Sequence, residues 1–191
     1  MPRTKLQNER IRLKSEEKIL KVALVLFGRY GYERTSIRMI AREANISLGL
    51  MYNYFESKEV LLLTLVMQAL GEAKGNLGSV ESEKSPRENL SAFLHRYRDL
   101  IRNKRLIWKL FYHLRMNPDS VPLLGAEGKE MQEVFLQHLG NLFRANGKSA
   151  PEMEARILLG TLDGIFQHFI SEPESYPLDA VLSKLEEKLA G

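Results

Sequence analysis

Between Thr35 and Lys58 the apolar residues form two short helical stripes with a break between them. Ile37, Ile40, Ala41 and Ala44 recur at i, i+3, i+4 and i+7, one buried helical face. Thr35 and Ser36 offer N-cap hydroxyls ahead of it. Asn45-Ile46-Ser47 then interrupts the pattern: asparagine tolerates the left-handed conformation of a tight turn, and Ser47 can cap a second helix. In that second helix Met51 and Phe55 lie one turn apart and face inward, while Leu50, Asn53 and Tyr54 fall on another face. Tyr52 reads either as a further outward residue or as a core tyrosine. Two short helices at a tight turn, the second turning Leu, Asn and Tyr outward, suggest a helix-turn-helix reading head.

Charge agrees with that reading. The chain of 191 residues carries a formal net charge of +4, but the excess is uneven. Residues 1–60 hold 12 Lys/Arg against 7 Asp/Glu, and residues 61–191 hold 16 against 17. The positive surplus therefore sits on the segment with the reading head, as a phosphate-binding surface requires. With no cysteine, disulfides and thiolate metal sites are excluded. Met1-Pro-Arg-Thr-Lys-Leu lacks an apolar signal-peptide core, and no apolar run approaches a membrane span, so a cytoplasmic protein with no membrane partner is expected.

The remaining pattern is helical throughout, with no strand-period alternation. Ser15-Glu16-Glu17 is a plausible helix start, and residues 1–14 are either a basic arm or an early extension of that helix. Ile19, Leu20, Ala23, Leu26 and Phe27 form its buried stripe, and Tyr30-Gly31-Tyr32 stops it. A largely apolar helix follows Ser57, with Gly71, Gly75 and Gly78 near its end as a fraying terminus or a yielding segment. Ser85-Pro86-Arg87-Glu88 is a capping box, and Ser149-Ala150-Pro151-Glu152 offers a second. Asn117-Pro118 ends another helix, and Pro122 and Gly125 confine the next piece to a turn or two. The expected fold is all-α: an N-terminal three-helix helix-turn-helix domain over residues 1–60 and a larger helical bundle over 61–191, nine or ten helices in all.

The motif residues resemble the DNA-binding domain of the TetR/AcrR family of bacterial repressors. The likeness runs through Ile19-Leu20, Ala23, Leu26-Phe27, Gly31-Tyr32, Thr35-Ser36-Ile37, Ile40-Ala41, Ala44, Ile46-Ser47-x-Gly49, Tyr52-x-Tyr54-Phe55 and Lys58-Glu59-x-Leu61, about a quarter of the chain. It implies double-stranded DNA with a palindromic operator as partner. Thr35, Ser36, Tyr54 and Lys58, at helix starts or on the outer face, would meet phosphates, as their counterparts in the family do. Leu48, Gly49, Leu50, Tyr52 and Asn53 would enter the major groove behind the Ser47 cap, with Asn53 able to donate and accept at adenine. Arg38 and Arg42 could meet phosphate or base.

One such head covers only a few base pairs, so a two-fold homodimer is expected. By resemblance its surface is built from the last two long helices, with Leu158, Gly160, Gly164, Phe166, Phe169, Leu182 and Leu185 as candidates; the same faces could instead complete the protomer core. Resemblance also implies a small-molecule effector in the middle helices. Phe93, Tyr97, Trp108, Phe111, Tyr112 and Phe135 supply suitable lining, with His95, His113 and Arg115 as polar fixtures; aromatic residues at helical spacing equally suit a plain core. No cofactor and no metal are expected, since His95, His113, His138 and His168 lie on separate helices without paired spacing. No nucleophile–base pairing or glycine-rich phosphate loop points to an enzyme. The resulting expectation is a DNA-binding regulator, a repressor by family default, released by its effector. The rival is a DNA-binding factor with no effector and a solid core.

Overall fold

The computed structural model describes residues 5–77, 83–116 and 121–190, and among them every regular element is an α-helix. The chain divides into two compact units, Met1–Gln68 with Leu110–Leu123, and Ala69–Lys109 with Leu124–Gly191.

The first unit opens with α1 (Lys5–Tyr30), which starts ten residues ahead of Ser15. Residues 5–14 are mostly good helix formers, and the Ser15 hydroxyl, rather than capping, donates back to the Ile11 carbonyl at 2.9 Å. Burial begins at Ile19. Gly31, at φ +82°, ends the helix in the left-handed conformation that glycine adopts without strain. Short helices α2 (Ile37–Glu43) and α3 (Leu48–Tyr54) follow, α1 packing on α2 and α2 on α3. Ile19, Phe27, Ile40, Ala44 and Met51 are at most 2% exposed. Each large apolar side chain so buried contributes roughly 1.5–3 kcal/mol. Helix α4 (Lys58–Leu77) begins at a Ser57 cap that accepts from Val60 N–H at 3.2 Å. Its residues to Gln68 belong to the first unit and those from Ala69 to the second. Gly71 and Gly75 face open space, so neither serves a close helix contact; Gly78 lies outside the described residues.

The second unit contains α5 (Pro86–Asn103), the start of α6 (Arg105–Met116), most of α7 (Val121–Ala145), α8 (Pro151–Ser171) and α9 (Leu178–Ala190). The Ser85 box forms as expected: Ser85 Oγ accepts from Glu88 N–H at 3.2 Å, and Glu88 Oε2 accepts from Ser85 N–H at 2.8 Å. The expected second box does not. Ala150 occupies the cap position, and the Glu152 carboxylate pairs with Arg144 instead. The expected break at Pro122 and Gly125 also fails, because Pro122 stands in the first turn of α7, where no intrahelical N–H is missed, and a glycine inside a helix weakens it without ending it. The proposed end of α6 at Asn117-Pro118 lies outside the described residues. Helix α9 packs on α5 and α8. Arg102 donates to Asp179 at 2.8 Å and Arg98 lies 3.8 Å from the same carboxylate, so part of the basic run Arg96–Arg105 fastens α9 to α5.

Candidate DNA-binding interface

The turn between α2 and α3 is fixed by its backbone. Asn45, at φ 55°, takes the left-handed position; its N–H donates to Arg42 O and that of Ile46 to Ala41 O, both at 3.0 Å, which closes α2 in a Schellman motif. Ser36 Oγ accepts from Met39 N–H at 3.2 Å to start α2, and Ser47 Oγ accepts from Leu50 N–H at 3.1 Å to start α3. Each cap consumes an acceptor lone pair, leaving the hydroxyl proton available to an anion. Helix α3 then has only one fully buried member, Met51; with Phe55 just beyond it, that residue holds the helix to the core.

Everything else on α3 is available. Gly49 and Asn53 are exposed, Leu50 is 41% and Tyr52 51% exposed, and Leu48 and Tyr54 are half-buried. Tyr52 is therefore not a core tyrosine. A Cβ at Gly49 would meet nothing within 4 Å, so the absent side chain matters only to a body approaching from outside. On the neighbouring helix Arg38 and Arg42 are exposed and, with Asn45, Ser47 and Leu48, line a shallow groove of about 470 Å³. Two guanidiniums, one hydroxyl, an amide and apolar side chains thus line one groove, the mixture that phosphate and base-edge contacts require.

Thr35 does not belong to that set. It is 1% exposed, and its hydroxyl is engaged by the carbonyls of Gly31 at 2.8 Å and Leu26 at 3.2 Å. The β-branched side chain ties the end of α1 to the start of α2 from inside, which leaves Ser36 as the hydroxyl at that edge. Lys58 is half-buried rather than free: its Nζ donates to the Tyr32 carbonyl at 3.0 Å and lies 4.1 Å from the Tyr32 ring centre.

The other expected sets separate. Of the aromatic residues proposed for an effector, Phe93, Tyr97, Trp108 and Phe135 fall in the second unit and Phe111 and Tyr112 in the first. Phe93 and Trp108 are buried; the Tyr97 hydroxyl donates to the Leu162 carbonyl at 2.7 Å, joining α5 to α8. Phe111 meets Tyr112 edge-on, and Arg115 lies 4.8 Å from the Tyr112 ring. His95 is exposed near Glu186, and His168 stacks on Tyr176; the side chain of His113 lies outside those described. His138 lies beside Phe93 with ring centres 6.1 Å apart. Its Nε2 is buried with no hydrogen-bond partner among the described residues, and burial, with the charge of Arg96, holds the imidazole below its ordinary pKa.

Among the dimer candidates, Leu158, Phe166, Phe169 and Leu182 are buried within the protomer, so they complete its own core. Gly160 is exposed, and Gly164 and Leu185 are half-buried. An exposed face of α8 carries other residues: Met153 and Ile157 are 59% and 60% exposed, and Gly160, Thr161, Gly164 and His168 continue the same face without a formal charge among them.

Comparison with known proteins matches this architecture. Residues 19–65 match the family model described as bacterial regulatory proteins, tetR family. The HTH-type transcriptional regulator YuxN of Bacillus subtilis (strain 168), itself uncharacterized, is 30% identical over 164 residues, 83% of this chain and 55% of that protein. The chain thus spans little more than half the length of that relative. The crystal structure of a transcriptional regulator from Aquifex aeolicus VF5 superposes with a TM-score of 0.73 at 26% identity, covering 92% of this chain and 98% of that one. SmeT in complex with triclosan superposes at 0.72 and 20% identity, covering 91% and 90%, and shares the fold. Taken with the capped α2–turn–α3 head, these likenesses identify residues 19–65 as a tetR-family helix-turn-helix domain in a chain that shares the fold of a TetR/AcrR-family regulator.

Proposed function

We propose that the protein is a sequence-specific DNA-binding regulator that represses transcription as a homodimer and leaves its operator when a small effector binds. The observation that carries the reading is α3, which exposes Leu50, Tyr52 and Asn53 while Met51 and Phe55 anchor it. Arg38, Arg42 and the Ser36 and Ser47 hydroxyls flank it to fix the duplex by its phosphates. A two-fold axis through the exposed α8 stripe would pair two heads on a palindrome, and small residues at Gly160 and Gly164 would let two helices approach closely. Effector control draws support from the triclosan complex of a protein with this fold, and from the buried His138 nitrogen, which has no hydrogen-bond partner among the described residues. The mechanism would be linkage: an effector preferring one conformation lowers operator affinity by the ratio of its own affinities for the two.

A second reading, a DNA-binding factor with no effector, is favoured by the burial of Phe93 and Trp108 and by the engagement of the Tyr97 hydroxyl. The test is a titration of DNA from upstream of the protein's own gene at several salt concentrations, with shuffled DNA as competitor. Tight, selective binding with a steep salt slope supports the regulator, and release of that DNA by members of a compound library supports effector control. Equal, weak binding to both DNAs counts against sequence-specific recognition at that site.

A further inference from the structure

Tyr32, in the turn after α1, is held to the first turn of α4 by three contacts. Lys58 Nζ donates to its carbonyl at 3.0 Å and lies 4.1 Å from its ring centre, and its hydroxyl donates to Glu59 Oε1 at 3.1 Å. Phe27 packs on the same ring, centres 5.3 Å apart and planes tilted by 55°. The protonation states are robust. Burial, reinforced by the bond to Glu59, pushes the phenol above its ordinary range; the Glu59 backbone N–H, followed by Ser57, holds that carboxylate below its own. At neutral pH the phenol donates and the carboxylate accepts.

An unrestrained lysine must surrender much rotamer freedom to hold a phosphate. Lys58 has surrendered it on folding. Its ammonium has three donors, of which the Tyr32 carbonyl takes one and two remain. Glu59, its chain neighbour, would repel a phosphate at the same helix start, and the Tyr32 hydroxyl restrains that carboxylate. We propose that Tyr32 is a positioning residue for DNA binding: it pre-sets the Lys58 ammonium for a backbone phosphate and holds the Glu59 carboxylate aside. The proposal rests on reading Lys58 as a phosphate contact.

A double-mutant cycle on the full chain separates the two ideas, with anisotropy of a labelled duplex selected in the titration above as the readout. Lys58→Met and Tyr32→Ala should each weaken binding about tenfold and reduce the salt slope by about one. The double variant should bind at most about threefold worse than Lys58→Met, the share of the released Glu59 carboxylate, because Tyr32 otherwise acts through Lys58. Tyr32→Phe, which keeps ring and carbonyl, should stay within about threefold of wild type. Losses that multiply in the double variant would overturn the proposal and leave Lys58 a phosphate contact in its own right. Unchanged affinity and slope for Lys58→Met would overturn both. If thermal unfolding shows that Tyr32→Ala loosens the head, Tyr32→Leu replaces it in the cycle, keeping bulk against Phe27 without a π face.

Discussion

The Thr35 hydroxyl lies 2.8 Å from the Gly31 carbonyl, inside the head. It also reaches the Leu26 carbonyl at 3.2 Å, so one buried side chain secures the last turn of α1 while Ser36 starts α2. Thr35→Val keeps the shape and leaves both carbonyls without that donor. The expected cost is about 1–2 kcal/mol of stability, read by urea unfolding. The salt slope of DNA binding should stay unchanged in the folded variant, and a reduced slope would return Thr35 to the phosphate contacts.

Asp179 makes the attachment of α9 sensitive to acid. The hydrogen bond from Arg102, together with the charges of Arg102 and Arg98, holds its pKa below the usual aspartate range. The folded value is thus lower than the unfolded one, near 4. The stabilisation is present above about pH 4 and is lost as pH falls through the folded value. The group is exposed, so the effect is modest and screened by salt. Protection of the α9 amides, taken as exchange relative to an unstructured peptide at the same pH, should fall between pH 5 and pH 3 in the wild type, and Asp179→Asn should be less protected already at pH 5 with a smaller change on acidification. Identical profiles would show that Leu178 and Leu182 alone hold the helix.

How much of this could be read from residues alone depended on whether the signal was local. The α2–turn–α3 head, the left-handed Asn45 and the Ser85 box are set by neighbours within four residues, and each formed where the pattern placed it. Ser149 shows the limit: its box pattern is intact, but Glu152 found Arg144, eight residues away, and no cap formed. Thr35 and Ser36 are nearly equivalent in sequence, yet one points into the core because Leu26 in α1 and Gly31 just after it present carbonyls there. On α8 Leu158 and Phe169 turn inward, and packing alone shows that Met153 and Ile157 turn out. Tyr32 was visible as part of a helix stop; its ties to Lys58 and Glu59, 26 and 27 residues on, were not.

Ile157→Glu tests the α8 face. The residue is 60% exposed in the protomer, so a carboxylate there should leave the fold intact by circular dichroism. If the stripe from Met153 to His168 meets a second copy, two carboxylates would be brought close to the symmetry axis in an apolar contact. Sedimentation should then show monomers where the wild type is dimeric, and operator affinity should fall by at least about tenfold as the second head is lost. A dimer that survives Ile157→Glu would move the interface elsewhere.

Asn53 is the residue on α3 with a donor and an acceptor on one short amide, which suits the paired groups on an adenine edge. Asn53→Ala should cost about 1–3 kcal/mol on the operator and much less on shuffled DNA, since a lost base contact affects only the cognate sequence. The salt slope should not move, because no phosphate contact is removed. Binding to a set of operators substituted one base pair at a time should show discrimination flattened at one position per half-site and kept at the others. A uniform loss across all sequences would instead make Asn53 a backbone contact, and Leu50 and Tyr52 would be the next α3 side chains to test as base readers.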